Sequence, residues 1–311
     1  MPVKPDFATQ ASRHTLGYAS CALAGCFWGM GFYFGKIALT ELSVGHMVLY
    51  RFLFACAGLL PVMGVPRFTR RQWILLLIAS FLGIPLQFLL QFYGLSLTTV
   101  SHAALMVGTM PVILAVGATI FTHERLDRKG WAALFTSTFG VALIVLGGSH
   151  AASASGDHPT LAGDLLVILS LVIALGWLLL NQRLMAEGQS PLSVTAWGLL
   201  TGMVMLAFWV VLRDGVPPIH GIHLRVWIAV AASGLLCTAA STLLWNWGMH
   251  HVPASRAGVF LNIEPALGSI LGVELLGDRL GPGAWVGGAC IIAAAIVLTT
   301  TGRPEPETLL Q

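Results

Sequence analysis

Glu264 is the side chain in this sequence with the strongest claim to chemistry. It stands about ten residues into an apolar run, roughly 15 Å from its start at 1.5 Å per residue, which is the depth of a bilayer midplane. A charged side chain there costs on the order of 3 kcal/mol, so the carboxyl needs a reason. Two are open. It binds a substrate ammonium or carries a coupled proton, or it stays protonated and bonds the backbone carbonyl that Pro265 leaves without its usual N–H partner. Arg51, about seven residues into another run, either faces a carboxylate or central cavity, or snorkels toward the nearer interface. Gln87 and Gln91 share one helical face with i, i+4 spacing and would suit an aqueous path. Trp28 and Trp177 lie well inside their runs, away from the interfacial belt, and offer either stacking faces for a substrate or core packing. Glu124 and Asp278 each precede Arg-Leu at the end of a run, where a carboxylate caps or ion-pairs a hairpin, with gating as the other reading.

Other chemistries lack their residues. No G-x-x-x-x-G-K-[ST] is present to bind ATP, and neither H-E-x-x-H nor G-x-S-x-G supplies a catalytic centre. No paired midplane carboxylates suit a hydrolase, so the sequence predicts no enzyme and no cofactor. The five cysteines all fall in apolar runs without a C-x-x-C, and His102 has no second ligand at metal spacing, so neither a disulfide framework nor a metal is expected. His102 reads as a satisfied polar residue. A net charge of +3 gives no footprint for nucleic acid, and nothing in the pattern calls for an obligatory protein partner.

The elements that must hold these residues are membrane helices. Hydrophobic residues make up 56% of the chain and charged ones 9%, against roughly 25% charged in a soluble domain. Ten apolar runs fall near 17–39, 44–64, 73–93, 101–121, 131–147, 163–182, 193–212, 226–247, 254–276 and 284–301. Backbone in a bilayer can bond only to itself, so runs of this length predict an all-α membrane protein of ten transmembrane helices. Arg71 to Gly148 repeats at Arg225 to Gly302 with a constant offset of 154 and no gap. Gly94 falls on Gly248, Pro111 on Pro265, Glu124-Arg125-Leu126 on Asp278-Arg279-Leu280, and Trp131 on Trp285. Two five-helix repeats are expected, over 1–148 and 163–302, with a linker at 149–162 and a tail at 303–311. Helices 1 and 6 correspond through Phe27-Trp28-Gly29 and Leu175-Gly176-Trp177.

Lysine and arginine orient the chain. With the N-terminus inside, eleven fall in cytoplasmic loops and three (Arg213, Arg225, Arg279) outside, which predicts both termini in the cytoplasm. An odd number of helices per repeat then turns the second half upside down, the layout of many secondary transporters. The lipid bilayer and a small molecule are the expected partners. Trp73, Trp131, Trp227 and Trp285 open helices as interfacial anchors, and Lys36 snorkels from the end of helix 1.

These residues resemble a known family. Trp28-Gly29, Arg51, Pro111 followed by Glu124-Arg125-Leu126, Glu264-Pro265 and the second acid-Arg-Leu at Asp278 are similar to the EamA branch of the drug/metabolite transporter superfamily, across about Gly17 to Gly302. Asp278 departs from the family's usual Glu, and Val44 from a frequent proline. The resemblance implies an inner-membrane carrier of small metabolites, often outward, with helices 1, 3, 4, 6, 8 and 9 around a central cavity and helices 5 and 10 peripheral. Within the family the chain looks most like the YddG type, exporters of neutral and aromatic amino acids. Scarce intramembrane charge fits a neutral or zwitterionic substrate. A multidrug or other metabolite exporter of the same fold stands as the alternative, ahead of an intramembrane enzyme or a channel.

Overall fold

The computed structural model describes residues 7–110, 112–113, 116–117, 128–147, 159–249, 251 and 258–301. Among them all regular structure is helical, with no strand, and each of the ten apolar runs contains helix. Helices α1 (Phe7–Ala38) and α2 (Val44–Leu59) are followed by α3 (Arg70–Phe81) and α4 (Gln87–Ser96), then α5 (Val100–Val107) and α6 (Arg128–Gly147). The remainder are α7 (Leu161–Ala186), α8 (Pro191–Asp214), α9 (Leu224–Gly234), α10 (Ser241–Met249), α11 (Ile263–Leu276) and α12 (Pro282–Thr301). Five stretches of the described residues are long and apolar enough to cross a membrane: Val44–Val62, Arg70–Ser96, Leu161–Ala186, Pro191–Asp214 and Leu224–Trp245. Large apolar side chains face outward along them, Phe208 and Leu212 each 71% exposed, as lipid contact requires.

Local chemistry sets where the helices begin. Ser43, Thr99, Thr160 and Ser190 each accept a bond from an orphan first-turn N–H, and Pro191 follows its cap at a position where the missing donor does no harm. Thr69 and Gln72 form a reciprocal capping box at α3. α1 starts ten residues before the predicted run, because its polar first turns continue as helix.

Two helices are broken alike. α3 runs into α4 through a π-turn, Leu82–Leu86, and α9 into α10 through another, Leu235–Ala240. In the first, Pro85 has no N–H and crowds the preceding turn, so the helix widens around it. No proline sits in the second. The two turns overlap at the 154-residue offset of the repeat.

Helix packing is paired in the same way. α1 lies against α10 and α11, while α7 lies against α4 and α5. α2 packs on α8 and α9, and α8 also on α3. α5 packs on α11, and α6 on α12 at the edge, where Trp131, Phe135 and Trp285 are exposed. Gly94 abuts Gly163 and Val167, whereas Gly248 abuts Gly17 and Cys21. By that packing Gly163 answers Gly17 and Val167 answers Cys21, so Trp177 corresponds to Gly31 and Trp28 to Ala174. Set by these glycine approaches, Trp28 and Trp177 fall one turn out of register with each other.

A Cβ at Gly163 would lie 2.9 Å from the carbonyl oxygens of Gly94 and Leu97, which are backbone and cannot swing aside. Gly163→Val is expected to cost about 1–3 kcal/mol and lower the unfolding temperature of purified protein. A Cβ at Gly64 would meet nothing within 4 Å, so Gly64→Ala is the silent control in the same melt.

Candidate functional site

Arg51 is the centre of the site. Its side chain comes from α2, is 5% exposed, and does not snorkel. Nε–H donates to Thr238 Oγ1 at 2.9 Å, and an Nη2–H donates to the Cys237 carbonyl at 3.3 Å. Both acceptors belong to the second π-turn. The widened turn presents the Cys237 carbonyl sideways to Arg51, and Thr238 Oγ1 in turn donates to Ser233 O at 3.1 Å. The guanidinium lies over the rings of Phe88 and Phe92 from α4, 5.0 and 5.3 Å from their centroids. Among the described residues no carboxylate lies within ion-pair distance of it. Glu264 acts on it only through longer-range attraction. Arg51 therefore joins residues of the first five helices to the broken helix of the last five.

Glu264 sits in the first turn of α11, directly after the 3-10 turn Gly258–Asn262, rather than in the middle of a continuous α-helix. Its backbone is clasped by α1: a Cβ at Gly29 would lie 2.9 Å from Glu264 O, so the glycine of Trp28-Gly29 is there for close approach. Pro265 is buried, and its carbonyl accepts from Ser269 Oγ at 2.7 Å. Trp28 is half-buried and meets Trp245 of α10, ring centroids 5.3 Å apart. Trp177 lies flat on Gly83 in the first π-turn, where any side chain would strike the indole. Gln87 and Gln91 are each 8% exposed on α4, beside the two phenylalanines, and Gln87 Oε1 has no hydrogen-bond partner. The structure thus brings Arg51 and α4 together and sets Trp28 and Trp177 on different helix pairs. Pro111 and Glu124 lie outside the described residues.

A polar cluster closes the end of the molecule where α4 passes to α5. Lys36 Nζ–H donates to the carbonyls of Leu95 and Thr98, both at 3.0 Å, tying down α4 instead of snorkelling. Thr98 Oγ1–H donates to Asp164 Oδ1 at 2.7 Å, and His102 Nδ1 is 3.4 Å from Asp164 Oδ2. Asp278 follows Gly277, whose φ of 68° lets the chain reverse at the end of α11. Its Oδ2 accepts the Ser101 N–H at 2.9 Å, capping α5 from the opposite half. Five helix ends meet here. Sequence alone singles out no role for Asp164 and reads Lys36 as snorkelling, since both fall where interfacial charge is ordinary. At the same end Glu41 bonds the exposed His223 at 2.7 Å, and the His223 backbone N–H holds the Glu41 carboxyl below its usual range.

Among the described residues no group of His, Cys, Asp and Glu could hold a metal. The EamA-like transporter family model matches twice, over residues 15–146 and 161–300. An uncharacterized transporter of Bacillus subtilis, YetK, is 25% identical over 93% of this chain and 88% of its own length. An uncharacterized transporter of Archaeoglobus fulgidus is 24% identical over 91% and 97%, and the inner membrane protein YtfF of Escherichia coli is 23% identical over 93% and 96%. A solved crystal structure superimposes with a TM-score of 0.62 over 93% of this chain and 98% of that one, at 18% identity, which is likeness of fold.

Proposed function

Since the chain belongs to the EamA-like transporter family, and is by that a multi-pass membrane transporter and no enzyme, we propose that it is a secondary carrier of neutral amino acids, aromatic ones included. It works by alternating access between two inverted five-helix halves, in the inner membrane, in the direction of export. The observation that carries this reading is the buried Arg51, joined at once to aromatic residues of α4 and to the opened backbone of the second π-turn. Broken helices expose backbone groups that can be re-satisfied only by protein or by cargo, and a carrier uses such a site at the join between its halves. The two matching π-turns and the paired helix contacts support the inverted-repeat part of the proposal.

Small-molecule sites are mostly apolar with a few orienting polar groups. Phe88, Phe92 and Trp177 would supply the apolar walls, with Arg51, Gln87, Gln91 and Glu264 as the orienting groups. Both termini are assigned to the cytoplasm and the α4–α5 end to the outside, by the Lys and Arg asymmetry. The closed polar cluster is then the outer gate.

Cells expressing the protein should gain resistance to toxic analogues of aromatic amino acids. No gain in resistance, with resistance to organic cations instead, points to a multidrug exporter. Orientation is read separately: in a cysteine-free version, a cysteine at Ser155 should react with an impermeant thiol reagent in whole cells and one at Arg128 should not. The reverse pattern inverts the assignment.

A further inference from the structure

We infer that Arg51 anchors a carboxylate on the transported molecule, through the edge of the guanidinium that Gly31 leaves uncovered. This rests on the carrier reading for its physiological setting, but not for its chemistry. A guanidinium has five N–H donors in a planar fork. In this structure one from Nε and one from Nη2 are taken by neutral acceptors, Thr238 Oγ1 and the Cys237 carbonyl. Neither neutralises the charge. The side chain is 5% exposed, no described carboxylate is within ion-pair distance and Glu264 attracts it only from farther off, so a positive charge is buried without a salt bridge and with donors to spare. Burying an unpaired ion costs several kcal/mol, a cost that a bound anion would offset.

The free side of the fork is defined by α1. A Cβ at Gly31 would stand 3.7 Å from both Nη1 and Nη2, so the glycine leaves space against the terminal nitrogens that any other residue would begin to fill. A carboxylate matches this paired edge geometrically, two oxygens to two N–H groups. Phe88 and Phe92 cover one face of the guanidinium and offer apolar area to the rest of the molecule. That favours a monocarboxylate on an apolar body over a small, strongly hydrated anion such as phosphate. Gln87 Oε1, buried without a partner on the same helix, is an acceptor for an N–H of such a ligand.

The test is the unfolding temperature of purified protein titrated with matched pairs: phenylalanine and phenylalaninamide, 3-phenylpropionate and 3-phenylpropanamide, with inorganic phosphate alongside. Both carboxylates should bind roughly ten- to a hundredfold more tightly than their amides, the range of a charge-assisted bond. Arg51→Gln should erase the difference and Arg51→Lys should keep part of it. If Arg51→Gln does not fold, Gly31→Ala serves, since its Cβ makes only ordinary contacts; it should weaken the carboxylates severalfold and leave the amides unchanged. Equal binding of acid and amide, a preference that survives Arg51→Gln or is undiminished in Gly31→Ala, tighter binding of phosphate, or no shift with any carboxylate would each overturn the inference. Carboxylate binding without transport in a counterflow assay would sink the carrier reading alone. Transport of phenylalaninamide as readily as phenylalanine would sink the anchor alone.

Discussion

Glu264→Gln is expected to fold normally yet transport poorly, whereas Glu264→Ala loses folded protein. The carboxyl sits where a 3-10 turn enters α11 and where Gly29 of α1 lies against its backbone. An amide keeps a hydrogen-bonding group in that junction. An alanine removes it and leaves a void where the 3-10 turn, α11 and α1 meet. What Gln cannot do is attract an ammonium group or carry a proton. Loss of attraction worth about 1.4 kcal/mol appears as a tenfold rise in apparent KM for the amino acid, with folded yield unchanged. Yield, counterflow and uptake driven by a pH gradient, measured on both variants, separate these roles. A Gln variant equal to the parent in all three removes Glu264 from the site and leaves it a structural donor.

Asp164→Ala is expected to open the end of the molecule that the structure shows closed. The carboxylate accepts from Thr98 and faces His102, and all three are nearly inaccessible. Removing it strands a hydroxyl and an imidazole nitrogen in the join between α5 and α7, so the closed arrangement is weakened. Between two conformers of a carrier, a change of about 1–3 kcal/mol is a 5- to 150-fold shift in population. The population shift is read with a cysteine at Ala103, which is 0% exposed on α5, in a cysteine-free background. With Asp164 intact it should resist an impermeant thiol reagent, and in Asp164→Ala it should react at least tenfold faster while net transport falls. Unchanged labelling with unchanged transport would make the cluster an ordinary packing feature.

Depth was legible in the sequence, and facing was not. The apolar runs fall on helices, because length and hydropathy act along the chain, although α1 begins ten residues before its run. At the offset of 154 the π-turns between α3 and α4 and between α9 and α10 overlap. Arg51 could be set at its depth, but which way it turned depended on a carbonyl that only a π-turn in another helix presents. Snorkelling was the reading that local sequence favoured, and a partner 186 residues away overruled it. Lys36 went the same way for the same reason, taken up by the carbonyls of Leu95 and Thr98. Asp164 stands at a helix start where charge is ordinary, and only the fold sets Thr98 and His102 around it. Pro85 is the proline within the first π-turn, a local signal for the break in that helix. Trp28 and Trp177 share flanking letters, whereas the close approaches of Gly94 to Gly163 and of Gly248 to Gly17 run one turn out of that match.

A carrier of amino acids with its site between the two halves exchanges substrate across the membrane without net flux. The most direct measurement is counterflow of radiolabelled phenylalanine into proteoliposomes of the purified protein preloaded with unlabelled phenylalanine, run with and without a pH gradient. A transient overshoot is expected that saturates with concentration and is competed by other neutral, bulky amino acids. Passive equilibration with no overshoot, or overshoot with organic cations but none with any amino acid, would contradict it.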